Sequence, residues 1–332
     1  MNPAVGIGIQ DFEKLRNRKC FYVDKTPFIK EWWENADDVT LITRPRRFGK
    51  TMNMSMLECF FSNQYEGRGE ELFGGLSIWD EKKYRDMQGK YPVIFLSFAG
   101  VKGVTYEGAR DGIISELSAL YKRHSYLLDG DTLSPTEKAG FDILDRYLKD
   151  TSPNKIIYEI SITNAINELS SYLYRYYGKK VLIFLDEYDT PMQEAYVNGY
   201  WKDFTNFMRS FFNSTFKTNP SMGRAVMTGI TRVSRESIFS DFNNPEVVTT
   251  TSQKYETAFG FTEKEVYDAL DQFSLSDSKS KVKEWYDGFT FGKCKDIYNP
   301  WSILNFLEKR KFGTYWANTS ANSLVGKLIR EG

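Results

Sequence analysis

The sequence predicts an α/β fold: a three-layer α/β/α arrangement around a parallel sheet, followed by an α-rich appendage. Three observations carry this expectation. Short apolar runs alternate with helical stretches of roughly ten residues or more, the pattern of a parallel sheet covered on both faces. One run, Val39 to Ile42, leads through a basic loop into Gly49-Lys50-Thr51 and an apolar stripe at helical spacing. A later run, VLIFLDE, ends in two adjacent carboxylates.

The elements follow in order. Phe12 and Leu15 mark a short helix and Phe21 to Val23 an extended piece. Asp24 is the expected N-cap of a helix holding Pro27, Phe28, Ile29 and Trp32. Val39 to Ile42 is the first buried strand, and Lys50 and Thr51 open a helix carrying Met54, Leu57 and Phe61. Glycines 67, 69, 74 and 75 punctuate the connection to a second strand within Tyr91 to Ala99. Helical stretches are expected over 106–126, 135–148 and 154–177, more than one crossover needs and so a candidate lid or side bundle. Lys180 to Glu187 is the third strand. Thr190 and Pro191 start a helical region striped by Trp201, Phe204, Met208 and Phe211, and Arg224 to Ile230 and Val247 to Thr251 are the fourth and fifth strands. From Thr262 the pattern turns helical. WYDGFTFG is expected to form a hairpin or turn with Asp287-Gly288 at its corner, and Tyr298-Asn299-Pro300-Trp301 leads into a last helix. The expected division is a core over 1–260, with a helical insertion at about 104–178, and an appendage over 261–332.

Composition excludes several classes. At 332 residues the chain can bury a large core. Lys+Arg and Asp+Glu are both 44, so no overall basic field points to nucleic acid. Three separated cysteines form neither a metal pattern nor a disulfide framework. The single histidine, His124, leaves no material for a Ser-His-Asp triad or a histidine zinc site. The N-terminus lacks a signal-peptide pattern and no apolar run approaches a bilayer span, so a soluble, cytoplasmic protein with no membrane contact is expected.

The chemistry starts at the loop. A strand, a tight basic loop, Gly-Lys-Thr and a helix together cradle a triphosphate: loop N–H groups and the helix N-terminus face phosphate, Lys50 reaches its outer oxygens and the Thr51 hydroxyl joins Mg²⁺. Arg44 stands where the pattern G-x-x-x-x-G-K-[ST] has its first glycine. Pro45 holds Arg44 extended and donates no N–H, so the donors come from Arg46, Arg47, Phe48, Gly49, Lys50, Thr51 and Met52. A basic surface turn with a chance Gly-Lys-Thr is the alternative. The strand end answers it: Asp186 is placed to hold Mg²⁺ through water and Glu187 to activate the water that attacks the γ-phosphate. Asp189 is read as a helix cap or a supporting acid. Thr228 is expected to contact the attacking water, with Thr231 or Arg232 sensing the γ-phosphate and Arg235 as another cationic candidate. Surface pairing is the alternative for these residues. The adenine is a candidate neighbour of Tyr22 to Lys25, although packing also explains them.

The ordered set FYVDKT, LITRPRRFGKTMNMSML, VLIFLDEYDTP, MTGITRVS and WYDGF…YNPWS resembles the bacterial AAA-ATPase-like family, itself similar to the STAND and archaeal ATPase branch of P-loop NTPases. The resemblance covers nearly the whole chain, and Arg44 in place of glycine is a habit of that family. It implies an ATP- and Mg²⁺-binding core using Lys50, Thr51, Asp186 and Glu187, and a winged-helix-like segment from residue 262. Many members continue into a PD-(D/E)XK nuclease-like domain. The chain stops before such a domain, so nuclease activity is expected to lie outside it. The expected function is Mg²⁺-dependent ATP hydrolysis by a nucleotide-controlled switch, with Glu187, Lys50 and Arg232 as catalytic residues. The alternatives are a signalling or scaffold module with negligible turnover, whose output is a protein partner or a second copy of the chain, and a nucleic-acid-binding adaptor.

Overall fold

The computed structural model describes residues 2–152, 155–231 and 245–316. Five strands form one sheet: β1 (Val39–Thr43), β2 (Val93–Ser97), β3 (Val181–Asp186), β4 (Met222–Gly229) and β5 (Glu246–Val248). Their order is β2-β3-β4-β1-β5. β2, β3 and β4 run parallel, with Ile94 opposite Ile183 and Ile183 opposite Ala225. Every residue of β1 and β3 is buried, which is why neither shows the polar alternation of a half-exposed strand. The three-layer α/β/α P-loop fold expected from the strand–helix alternation is therefore present, together with the C-terminal helical region.

The described residues form two compact units: one holds the N-terminal segment to Ala36, Ile42–Lys90 and the segment from Val247, and the other Asp37–Leu41 and Tyr91–Glu246. In the first, the helix Lys50–Phe61 buries Met54, Leu57, Phe60 and Phe61, and Phe60 packs edge-on to Phe73. Its C-terminal part is a helical region with a small antiparallel sheet. β6 (Phe261–Thr262) leads into helices Glu263–Gln272 and Lys279–Tyr286; then β7 (Phe289–Phe291) and β8 (Cys294–Tyr298) form a wing, and helix Pro300–Lys309 follows. β8 lies between β6 and β7, antiparallel to both. Phe21, from the N-terminal segment, joins this core and meets Phe273 edge-on at 5.2 Å. Lys25 adds an ion pair to Glu265 at 2.7 Å, while Glu265 completes a capping box with Thr262.

Four local expectations change. The stretch 135–148 is two helices, Pro135–Gly140 and Ile143–Lys149. The wing does not turn at Asp287-Gly288. The Asp287 amide caps the preceding helix on Lys283 O, and β7 and β8 are joined across Gly292 and Lys293. Asp24 is not the N-cap: Thr26 is, and the Asp24 carboxylate instead receives the Thr26 amide and hydroxyl and the Ser77 amide and hydroxyl. The stretch 154–177 is two helices, Glu159–Thr163 and Ala165–Tyr177. They break at Asn164, whose side chain accepts the Ser214 hydroxyl.

In the second unit, helices Tyr106–Arg123 and Ala165–Tyr177 follow β2 and precede β3, and helices Thr190–Asn198 and Trp201–Phe212 connect β3 to β4. His124 ends the first of these, buried, with Nδ1 at 3.0 Å from Leu120 O. Burial pushes its pKa below the usual 6.5. Because the folded state binds the proton less readily than the unfolded chain, stability falls as pH drops below about 6.5 and the loss ends once the folded pKa is passed. His124→Gln, which removes the titrating group, should flatten the melting temperature between pH 7 and pH 5 relative to the wild type. An unchanged slope would place the acid sensitivity elsewhere.

Candidate functional site

The phosphate-type loop lies wholly within the first unit. β1 ends at Thr43 and the helix Lys50–Phe61 begins directly after Gly49, its N-cap, at φ +83°. Arg47 is also left-handed, at φ +69°. Repeated reversals of this kind turn successive amides to one side, the geometry of anion-binding nests. The Lys50 amine donates to Arg44 O at 3.1 Å and Pro45 O at 3.0 Å, so it spans the loop it is expected to serve. Thr51 and Met52, both half-buried, lie in the first helical turn, where the backbone N–H groups have no intrahelical partner.

The C-terminal part of the same unit holds this loop from outside. Arg46 O accepts from Asn299 Nδ2 (3.4 Å) and Trp316 Nε1 (3.2 Å), and Phe48 O accepts from the Gly260 amide (3.1 Å). In a trans peptide the next N–H points opposite to the carbonyl. Fixing those two carbonyls on the C-terminal segment therefore aims the Arg47 and Gly49 amides away from it. The Phe48 ring is fully buried against Phe289 (4.8 Å) and Phe291 (5.3 Å) of the wing, and the exposed Arg47 guanidinium lies over the Trp301 ring at 4.4 Å. Sequence reasoning missed Gly260, Asn299, Trp301 and Trp316 as supports of the loop, although YNPWS stood out as a motif. Nothing in spacing alone says that residues so distant in sequence meet the loop.

Tyr22 and Lys25 are committed elsewhere. The Tyr22 hydroxyl donates to Met56 Sδ and accepts from the Lys25 amide, and burial raises its pKa. The Lys25 amine holds Thr257 O and both Glu265 oxygens. Packing, the second of the two explanations given for this stretch, accounts for both side chains.

The acidic strand end belongs to the second unit. Asp186 closes β3, fully buried, and its Oδ1 accepts the Thr228 hydroxyl at 2.5 Å. β4, which carries Thr228, lies between β3 and β1 in the sheet order. Glu187 is half-buried with φ +51°, a conformation that costs a non-glycine residue about 1–2 kcal/mol. Its Oε2 accepts the Thr190 hydroxyl at 3.0 Å. Residues held in such conformations cluster at functional positions. Arg232 and Arg235, the expected cationic sensors, lie outside the described residues.

Asp189 has a more specific task than capping. Fully buried, it accepts the Ile230 amide (3.1 Å), the Thr231 amide (2.8 Å), the Thr231 hydroxyl (2.7 Å) and Gln193 Nε2 (2.8 Å). It thereby fixes the turn that follows β4, while the Tyr188 hydroxyl donates to Thr231 O (2.8 Å). Thr231 is thus tied to a neighbouring carboxylate. Gly229 makes the close approach possible: a Cβ there would sit 2.6 Å from Asp189 Oδ1 and 2.6 Å from the Tyr188 ring. Asp189→Ala should cost about 2–4 kcal/mol, since it strands two amides and a hydroxyl. Gly229→Ala should destabilise through the clash alone. Urea unfolding of both variants checks this, and a wild-type midpoint for Asp189→Ala would refute the assignment.

Residues 6–239 match the family model described as "Predicted AAA-ATPase". A similar curated protein is an uncharacterized protein in the vnfD 5′ region of Azotobacter chroococcum mcd 1. It is 26% identical over 329 residues, covering 98% of this chain and 56% of the relative's length. The chain thus spans little more than half of that relative. No helix among the described residues is long and apolar enough to cross a membrane. With strand, left-handed Gly49, Lys50-Thr51 helix start and acidic β3 end all in the matched region, the chain belongs to the predicted AAA-ATPase family.

Proposed function

We propose that the protein binds ATP with Mg²⁺ and hydrolyses it as a nucleotide-controlled switch. The observation that carries this reading is the loop: Gly49 in the left-handed region, Lys50 and Thr51 opening a helix, and the Arg47 and Gly49 amides aimed by carbonyls fixed behind them. In the proposed roles, the amides of Arg46 to Met52 and the Lys50 amine take the phosphates. The Thr51 hydroxyl would hold Mg²⁺, with the Asp186 carboxylate reaching it through water. One carboxylate and one hydroxyl suit this ion, which keeps several waters and completes its shell with phosphate oxygens. Glu187 orients and deprotonates the attacking water. Its strained backbone supports that role, because the chain holds a conformation that a carboxylate needed only for solubility would not require. Thr228, bonded to Asp186, sets the orientation of that carboxylate, and Arg232 is the proposed neutraliser of developing charge. When bound, the ion supplies charge stabilisation for the transferring phosphoryl group.

The switch part of the proposal rests on the wing. Phe48 sits within the loop and packs on Phe289 and Phe291, so a change in loop conformation on nucleotide binding has a direct mechanical path to β7. The same wiring favours the second reading, a nucleotide-binding signalling or scaffold module with negligible turnover and a protein or second-copy partner. Phosphate release separates the two readings.

Lys50→Ala should lower ATP affinity at least a hundredfold. Glu187→Gln should keep ATP affinity within threefold and cut turnover by about 10²–10⁴, the usual worth of a positioned general base. Calorimetric titration with a nonhydrolysable analogue and a phosphate-release assay read both. Hydrolysis by Glu187→Gln at the wild-type rate would end the catalytic assignment, and a wild type that binds ATP without releasing phosphate would favour the signalling module.

A further inference from the structure

Arg44 is the residue that the phosphate-loop reading leaves over. It occupies the position of the first glycine, and its side chain is fully buried. Nη1 donates to Thr43 O (3.0 Å) and Val248 O (3.5 Å), and Nη2 to Tyr255 O (3.3 Å). The guanidinium carbon lies 4.8 Å from the Phe291 ring centre and 5.5 Å from that of Phe259. Nε is buried with no hydrogen-bond partner among the described residues. No carboxylate among the described residues lies within ion-pair distance, and burial alone pulls the pKa down to about 10, leaving the group cationic at neutral pH. A buried charge held only by neutral carbonyls and aromatic faces is costly, and an apolar side chain of similar volume would commonly be as stable or more so. Stability therefore does not account for a cation here.

Its position does. The guanidinium carbon lies 4.8 Å from the Phe291 ring centre, and that ring also packs on Phe48 of the loop at 5.3 Å, so the buried charge stands behind the loop proposed to receive phosphate. We propose that Arg44 is the buried counter-charge of the phosphate loop: the polyphosphate of the bound nucleotide is the anion that balances it, and affinity for that anion depends on the charge at position 44. The inference rests on the nucleotide reading above and adds to it a residue that does not touch the ligand. In a site of low polarity such a charge acts over several ångströms, and it offsets the N–H that Pro45 cannot supply. Arg44 is then a positioning and charge-balancing residue, distinct from Lys50, which makes contact.

The test compares Arg44→Met, which keeps bulk between the two rings but removes the charge, with Arg44→Lys, which keeps the charge but loses the planar fork. Each is titrated with Mg·ATP and with inorganic tripolyphosphate, alongside melting curves without ligand. Expected are melting temperatures close to wild type for both variants, a tenfold or greater loss of affinity for both anions in Arg44→Met, and recovery to within threefold of wild type in Arg44→Lys. If Arg44→Met does not fold, Arg44→Lys decides: affinity within threefold and a weakening with added salt parallel to wild type support the proposal, and a tenfold loss overturns it. Equal losses in two folded variants would make Arg44 a hydrogen-bonding brace and overturn the charge balance. A folded Arg44→Met that binds as wild type overturns it as well. Failure of the wild type to bind either anion would sink both this inference and the nucleotide reading, whereas binding of tripolyphosphate but not ATP would sink the nucleotide reading alone.

Discussion

The constraint on which the proposed site depends is the planarity of two peptides. Arg46 O and Phe48 O are occupied by Asn299, Trp316 and Gly260, and a planar trans peptide leaves the following amide no choice of direction. A loop amide free to rotate would lose orientational entropy on meeting an anion; one held from behind has lost it on folding. The left-handed conformations of Arg47 and Gly49 belong to the same arrangement. Glycine adopts that region readily, and Arg47 is held there with its guanidinium laid on Trp301. The wing and the YNPWS helix are therefore part of the machinery that shapes the loop, and the first unit is assembled from segments at both ends of the described chain.

At the end of β3 the same economy of backbone operates with carboxylates. Asp186 and Asp189 are both fully buried, yet their surroundings differ in kind. Asp189 receives two amides, a hydroxyl and a side-chain amide, which makes it a structural pin. Asp186 receives the hydroxyl of Thr228 from the neighbouring strand, a shorter bond that fixes which way its carboxylate faces. Between them Glu187 takes the left-handed turn that lets three acidic residues follow one strand without sharing one environment. The close approach at Gly229 brings the β4 turn onto Asp189, so the register of Thr228 against Asp186 is held from one residue further along.

Much of this was legible in the sequence, for definite reasons. Strands covered on both faces read as unbroken apolar runs, so β1, β2, β3 and β4 were located within a few residues of their bounds. Lys50 and Thr51 were placed at a helix start because glycine before a polar pair marks one. The failures share a cause. Asp24 and the Asp287-Gly288 pair are read by local rules of capping and turning, and each is governed by a tertiary partner or by the helix beside it: Ser77 for Asp24, the end of helix Lys279–Tyr286 for Asp287. Asn164 broke a helix through Ser214, a contact no periodicity carries. Loop supports such as Asn299 and Trp316 were out of reach for the same reason: their effect is exerted on backbone atoms, which leave no trace in composition.

The buried charges of the first unit put the last step in place. Lys25 with Glu265 and Arg44 with its carbonyls each take a cation out of water, and neither arrangement gains stability over a well-packed apolar alternative. What each does instead is define one position for one segment. Lys25 joins the N-terminal segment to Thr257 O and, through both Glu265 oxygens, to the cap of helix Glu263–Gln272. Arg44 joins the end of β1 to Val248 O, Tyr255 O and the wing residue Phe291. Hydrophobic contacts such as Phe21 on Phe273 or Phe48 on Phe289 tolerate sliding by fractions of an ångström; hydrogen bonds from a buried cation do not. The apolar core therefore supplies cohesion to this unit, and the hydrogen bonds of its internal cations mark where the segments around the phosphate loop meet, while the charge at position 44 is left for the anion that the loop is proposed to receive.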